Sequence, residues 1–208
     1  MFFWFCLDMV IILCVILTCF ADRRQQRMLS YIVATVLVFV SGVRFMVGGD
    51  YASFAAVFCD SGENIAEILK IEPSFYFLAK VLKHIEISYQ GMFLFYSFIQ
   101  ILFLYKGCQY WLNNDYKKIT VALCCFCFLP FNAYWESMNT VREMTSVIIF
   151  LYSAKFLFER KYLKYILWTF VAACFHYSAL LTLLYIPVAN ISWKKCYSIL
   201  CIMIGLFL

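Results

Sequence analysis

The sequence predicts an all-α protein: a polytopic bundle of transmembrane helices with an outward-facing loop that carries an interfacial amphipathic helix. Three observations lead there. Of 208 residues, 65% are hydrophobic and only 14% are charged, against about 25% charged in an ordinary soluble domain. Mean hydropathy is +0.85, and the 21% aromatic share suits contact with lipid and the membrane interface. Apolar runs also recur at close to the length of about 20 residues that a crossing needs.

Taken in order, the run 2–20 is interrupted only by Asp8. It has neither a positive n-region nor a small-residue cleavage site, so it reads as a retained helix and not as a cleaved signal. The second span, 28–43, is slightly short. A non-spanning helix over 72–86 opens on Glu72-Pro73, with proline in the first turn where its missing N–H matters little. Phe75, Leu78, Leu82 and Ile85 fall on one face and Lys80 and Lys83 on the other, the pattern of a helix lying along a membrane surface. Spans over 89–105, 119–134 and 141–158 follow.

The run 163–186 reads as one span, although this leaves Trp193-Lys194-Lys195 on the outer side. Two half-helices turning near His176 would return Lys194 to the inner side, but at about 12 residues each they are short for full crossings. A last apolar run, 196–208, stops before completing a crossing, so the chain reads as truncated at its C-terminus. The whole, 1–208, is a single polytopic domain.

Lysine and arginine set the orientation, because they concentrate in cytoplasmic connections. Segments 21–30, 106–118 and 155–164 carry Arg23, Arg24, Arg27, Lys106, Lys117, Lys118, Lys155, Arg160, Lys161 and Lys164. The long stretch 44–72 holds only Arg44 and Lys70, and 135–143 only Arg142. The N-terminus is therefore expected outside, with 48–72 and 135–142 facing outward. The net charge of +5 reports this orientation; without a contiguous basic face, nucleic acid is not an expected partner. Most of the 11 cysteines sit inside apolar runs, where cysteine acts as a small hydrophobe. Cys124-Cys125-Phe126-Cys127 has no second ligand cluster to complete a metal site.

Charge is expensive near a bilayer, so Arg44, Asp50, Arg142 and His176, at the ends of apolar runs, are the candidates for chemistry. Arg44 precedes Gly48-Gly49-Asp50-Tyr51; glycines permit a sharp turn and close approach to a ligand, and an arginine can fork onto a phosphate. Asp50 can take a proton from a hydroxyl or organise the arginine, the plainer alternative being an Arg44–Asp50 pair that closes a turn. Glu136, Asn139 and Glu143 share one helical face with Arg142 at its edge, at a helix start that favours anions. The alternative there is capping with a snorkelling arginine. His176, in Phe175-His176-Tyr177-Ser178, can serve as a general base when neutral, or as a structural hydrogen-bonding partner. With His84 the only other histidine, neither a metal site nor a cofactor is expected.

These constellations, in this order over about residues 40 to 186, resemble the EpsG family and the broader Wzy-type polysaccharide polymerases of bacterial membranes. The matching features are Arg44 with Gly49-Asp50-Tyr51, Glu72-Pro73 and its helix, Asn139-Thr140-Val141-Arg142, and Phe175 to Leu180. Phe54 and Glu143 depart from the family pattern, which often has Tyr and Gln there. The resemblance implies a multi-pass protein of the bacterial inner membrane that transfers glycan between polyprenyl-diphosphate carriers, making exopolysaccharide or O-antigen. It implies a polyprenyl-diphosphate-linked oligosaccharide as substrate, the bilayer as environment, and other polysaccharide assembly proteins as partners. In that reading Arg142 and Arg44 meet the diphosphate and His176 or Asp50 the acceptor hydroxyl, with Gly49, Tyr51, Glu72, Glu136 and Asn139 binding substrate. A membrane O-acyltransferase or a non-catalytic assembly subunit is the alternative. A transporter fits less well, because the spans are nearly uniformly apolar in their middles.

Overall fold

A computed structural model describes residues 2–60, 72–128 and 133–190, and every element among them is helical. In chain order these are α1 (Phe2–Phe20), α2 (Arg23–Gly42), α3 (Tyr51–Asp60), α4 (Pro73–His84), α5 (Gln90–Trp111), α6 (Tyr116–Phe128), α7 (Ala133–Asn139), α8 (Val141–Phe158) and α9 (Tyr162–Phe175). A 3-10 helix (Tyr177–Leu184) and α10 (Tyr185–Ala189) complete the order.

Local chemistry accounts for several boundaries. Asp22 and Gln25 form a reciprocal capping box at the start of α2, with Gln25 N–H donating to Asp22 at 2.8 Å and Asp22 N–H to Gln25 at 3.0 Å. Pro73 occupies the first turn of α4, whose Phe75, Tyr76, Ala79 and Leu82 are buried while Lys80 and Lys83 are exposed. Ile85, expected on the apolar face, lies past the helix end and is exposed. Among the described residues α5 is the one helix whose length and composition suffice by themselves for a crossing; Cys6–Phe20, Tyr162–Phe175 and Tyr177–Ala189 are shorter apolar helices.

Helices α5 and α8 form the centre of the bundle, α9 packs on α8, and α2 packs on α5 and α6. Polar side chains tie these apolar helices together. Ser97 donates to the Val38 carbonyl at 2.8 Å and Tyr134 to the Leu37 carbonyl at 2.6 Å. Gln100, buried midway along α5, donates to the carbonyls of Ser137 and Val141 and to Thr145.

Two expectations are corrected. The run 163–186 is not one helix. In a straight helix Tyr165 and Thr182 would stand about 25 Å apart, yet the Tyr165 hydroxyl donates to the Thr182 carbonyl at 2.7 Å. Tyr162 likewise reaches Asn190 at 2.7 Å. The chain reverses at His176, whose backbone is extended (φ −157, ψ 125). Fourteen α-helical residues rise about 21 Å, and the 3-10 helix with α10 returns about the same distance, because a 3-10 helix rises about 2.0 Å per residue. This greater rise is what the estimate of two short half-helices leaves out.

The second correction concerns 136–143, which is not one continuous helical face. The chain breaks at Thr140 (φ −93, ψ 59) between α7 and α8, so Asn139 and Arg142 point to different partners. Part of the run 119–134 and all of 196–208, with Lys194 and Lys195, lie outside the described residues.

Candidate functional site

The end of α9 and the starts of α4 and α8 meet at one end of the bundle, and Glu72 is their junction. One carboxylate oxygen of Glu72 accepts from Arg142 Nη1, and the other lies 2.7 Å from His176 Nδ1. Glu72 stands at the N-cap of α4 but makes no capping hydrogen bond with its side chain, so the carboxylate is turned toward α8 and α9. The helix break at His176 is what presents the imidazole there: its N–H still closes the last turn of α9 onto the Ala172 carbonyl at 3.0 Å, and the extended residue then redirects the chain.

Burial differs across the three. The Glu72 side chain is 7% exposed, against 36% for Arg142 and 35% for His176. A buried carboxylate is tolerated when its oxygens are paired, and both oxygens of Glu72 are. Its partners keep open surfaces. A carboxylate can only accept, so Nδ1 of His176 donates to it, and in the neutral form of the imidazole Nε2 is the nitrogen that keeps a lone pair. Arg142 has further N–H groups beyond the one given to Glu72. An aromatic layer supports the group: the Arg142 guanidinium lies 5.7 Å from the Phe75 ring and 6.0 Å from that of Phe54. Beneath it, Tyr96 shares a hydrogen bond with Ser74 at 3.0 Å and meets Phe175 edge-on at 5.7 Å.

Arg44 occupies a different setting. It is 6% exposed, donates to the Ser41 carbonyl and hydroxyl at 2.9 Å and the Met138 carbonyl at 3.1 Å, and lies 4.4 Å over Phe93. Burial lowers its guanidinium to about 10, which still leaves a cation at neutral pH. Around it Gly49 N–H donates to Asn139 Oδ1 at 2.8 Å, and Gln90 donates to the carbonyls of Gly42 and Arg44. Tyr51 is buried, stacked on Phe93 at 4.8 Å, with its hydroxyl on Gln90 at 3.3 Å. Gly48, at φ +100, is the glycine this turn requires, because a Cβ there would meet the Met138 carbonyl oxygen at 2.8 Å. Gly49 has open space instead. Arg44, Gly49, Tyr51 and Asn139 thus form a tie between the end of α2 and α7, with Arg44 and Tyr51 buried and Gly49 exposed.

Sequence-predicted residues therefore fall into two groups and a remainder. Arg142, His176 and Glu72 come together, and Arg44 belongs to the tie. Asp50 and Glu136 are exposed, and no Arg44–Asp50 ion pair is present among the described residues; the Asp50 carbonyl instead accepts from Phe54 N–H at 2.9 Å to start α3. Gln90 and Gln100 are contributors that the reading of the sequence passes over. Each is a lone neutral amide in or beside an apolar run, and only that isolation marks it.

Comparison with curated proteins finds no match, and neither does comparison with solved structures. The family model described as EpsG family matches residues 27–208, and the chain belongs to the EpsG family.

Proposed function

We propose that this protein is a multi-pass polymerase of the bacterial inner membrane that joins polyprenyl-diphosphate-linked glycan units into exopolysaccharide or O-antigen. The observation that carries the reading is Glu72 held between Arg142 and His176, two half-exposed groups suited to the two ends of a glycosyl transfer. The family gives a polysaccharide polymerase-type role. The outward-facing apolar side chains Leu13 and Ile16 of α1, Phe98 of α5 and Leu163 and Leu167 of α9 support burial of the bundle in lipid. In a hydrocarbon core about 30 Å thick, a hairpin arm of about 21 Å that starts at the inner surface ends about 9 Å short of the outer one, so in this reading the diphosphate is drawn below headgroup level to meet His176.

In this mechanism the acceptor sugar's hydroxyl oxygen attacks the anomeric carbon of the donor glycan. The bond from that carbon to the carrier diphosphate breaks, and its electron pair leaves with the diphosphate. Arg142 neutralises the growing negative charge, with its free N–H groups toward the departing oxygens. His176 Nε2 receives the hydroxyl proton. Glu72 holds the imidazole in the required tautomer, balances the imidazolium that forms, and fixes the arginine. Arg44 acts by position, securing the turn that brings α2 against α7.

The test is polymer length in cells whose own polymerase is replaced by this chain. Arg142→Ala and His176→Ala, inserted at normal levels, are expected to leave single repeat units on the carrier. Full-length polymer from either variant would refute the assignment. Unchanged polymer with altered acetyl content would instead point to acyl transfer.

A further inference from the structure

At the opposite, basic end of the bundle lies a small polar cavity of about 230 Å³, lined by Lys106, Gln109, Tyr110, Asn114, Tyr152 and Lys155. We propose that it is a binding site for the phosphate of an anionic membrane lipid, distinct from the carrier diphosphate assigned to Arg142. The proposal rests on the multi-pass membrane reading but not on the chemistry assigned to Arg142 and His176.

The lining is built from three pieces. Lys106, Gln109 and Tyr110 fall on one face of α5 at the spacing of helical neighbours. Tyr152 and Lys155 come from the facing side of α8. Asn113 and Asn114 adopt left-handed backbone (φ 51 and 56), and Asn114 N–H folds back onto the Gln109 carbonyl at 2.9 Å. This turn brings Asn114 into the lining.

Donors dominate the cavity. The Lys155 ammonium is held 3.7 Å from the Tyr152 ring centre and 5.4 Å from that of Tyr110, which fixes a cation at the wall without neutralising it. Lys106 is exposed and, among the described residues, has no carboxylate partner. The nearby acid, Glu159, is outside the lining and occupied: Lys161 lies 2.7 Å from one of its oxygens and the Tyr110 hydroxyl donates to the other at 2.6 Å. Two amines with no direct carboxylate contact, Lys155 feeling Glu159 only through space, together with two amides suit a phosphate oxyanion.

The surroundings favour a lipid over a soluble anion. Trp111 and Phe158, both exposed, pack edge-on at 5.4 Å, and Trp111 lies 5.1 Å from Tyr110. An exposed aromatic pair beside a basic pocket is the composition of a membrane interface, where acyl chains would run along the apolar helix faces below the headgroup. A lysine near an anionic leaflet contributes about a fivefold gain in affinity.

The experiment uses the full chain in detergent micelles titrated with dioctanoyl-phosphatidylglycerol, with dioctanoyl-phosphatidylcholine, glycerol 1-phosphate and inorganic phosphate as comparisons. Saturable phosphatidylglycerol binding is expected, weakened about fivefold by Lys106→Gln or Lys155→Gln and largely kept by Lys155→Arg. Unchanged affinity in both glutamine variants would overturn the site. Equal affinity for glycerol 1-phosphate or inorganic phosphate would overturn the lipid as the source. Membrane retention is scored in parallel: a chain that washes off vesicles overturns the membrane reading, whereas a retained chain with unchanged lipid affinity in the variants overturns only the pocket.

Discussion

His176 Nδ1 lies 2.7 Å from Glu72 Oε1 although the two residues are 104 positions apart in the chain. The contact joins the N-cap of α4 to the apex of a helical hairpin, and it assigns the neutral imidazole its tautomer. Glu72→Gln tests that assignment with almost no change in volume. An amide oxygen facing His176 leaves an amide N–H₂ facing Arg142, donor against donor. The flipped amide satisfies Arg142 but moves the imidazole proton to Nε2. Either way one contact fails, and the polymerisation rate is expected to fall by about two orders of magnitude or more. Initial rates with a synthetic carrier-linked repeat unit measure it.

Arg142 is expected to contribute through charge placement. Arg142→Ala should lower the turnover rate by about 10²–10³. Arg142→Lys should recover only part, because a point charge cannot both hold Glu72 and fork onto a diphosphate. Turnover numbers for the two variants, measured at saturating donor, separate this from a simple loss of binding.

The tie around Arg44 makes a stability prediction that separates neighbouring glycines. Gly48→Ala places a Cβ 2.8 Å from the Met138 carbonyl oxygen at a φ of +100, and is expected to destabilise the fold by about 1–3 kcal/mol. Gly49→Ala meets nothing within 4 Å and should be close to neutral. Thermal unfolding of the two purified variants in the same detergent makes the comparison.

The reversal at His176 predicts sidedness. A protease site inserted after Asn190 should be cut from the same side of the membrane as one inserted after Lys161, because Asn190 returns to Tyr162. Cleavage from opposite sides would restore a single straight span over 163–186.

Where the chain carries a regular signal, the helices are legible. Apolar runs mark α1, α2, α5 and α8, and Glu72-Pro73 marks the start of α4. The hairpin is not legible, since an apolar run of given composition is equally lipid-soluble straight or folded. Only the misplaced Lys194-Lys195 hinted at a turn. Arg44 shows the limit for sites. Its charge is visible, but two of the three acceptors that bury it are the main-chain carbonyls of Ser41 and Met138, which any residue would supply, the third being the Ser41 hydroxyl. Glu72 likewise reads as one ligand among several, because nothing local shows that its side chain leaves its own helix uncapped to reach Arg142 and His176.

A double-mutant cycle on the polymerisation rate, with Glu72→Gln, His176→Ala and the pair measured on vesicle-inserted protein, tests most directly whether these residues act as one unit. If Glu72 works by orienting His176, removing it after the histidine is gone has little left to remove, and the double variant should be about as slow as His176→Ala alone. Losses that multiply independently, or a His176→Ala enzyme that polymerises at the wild-type rate, would contradict the account.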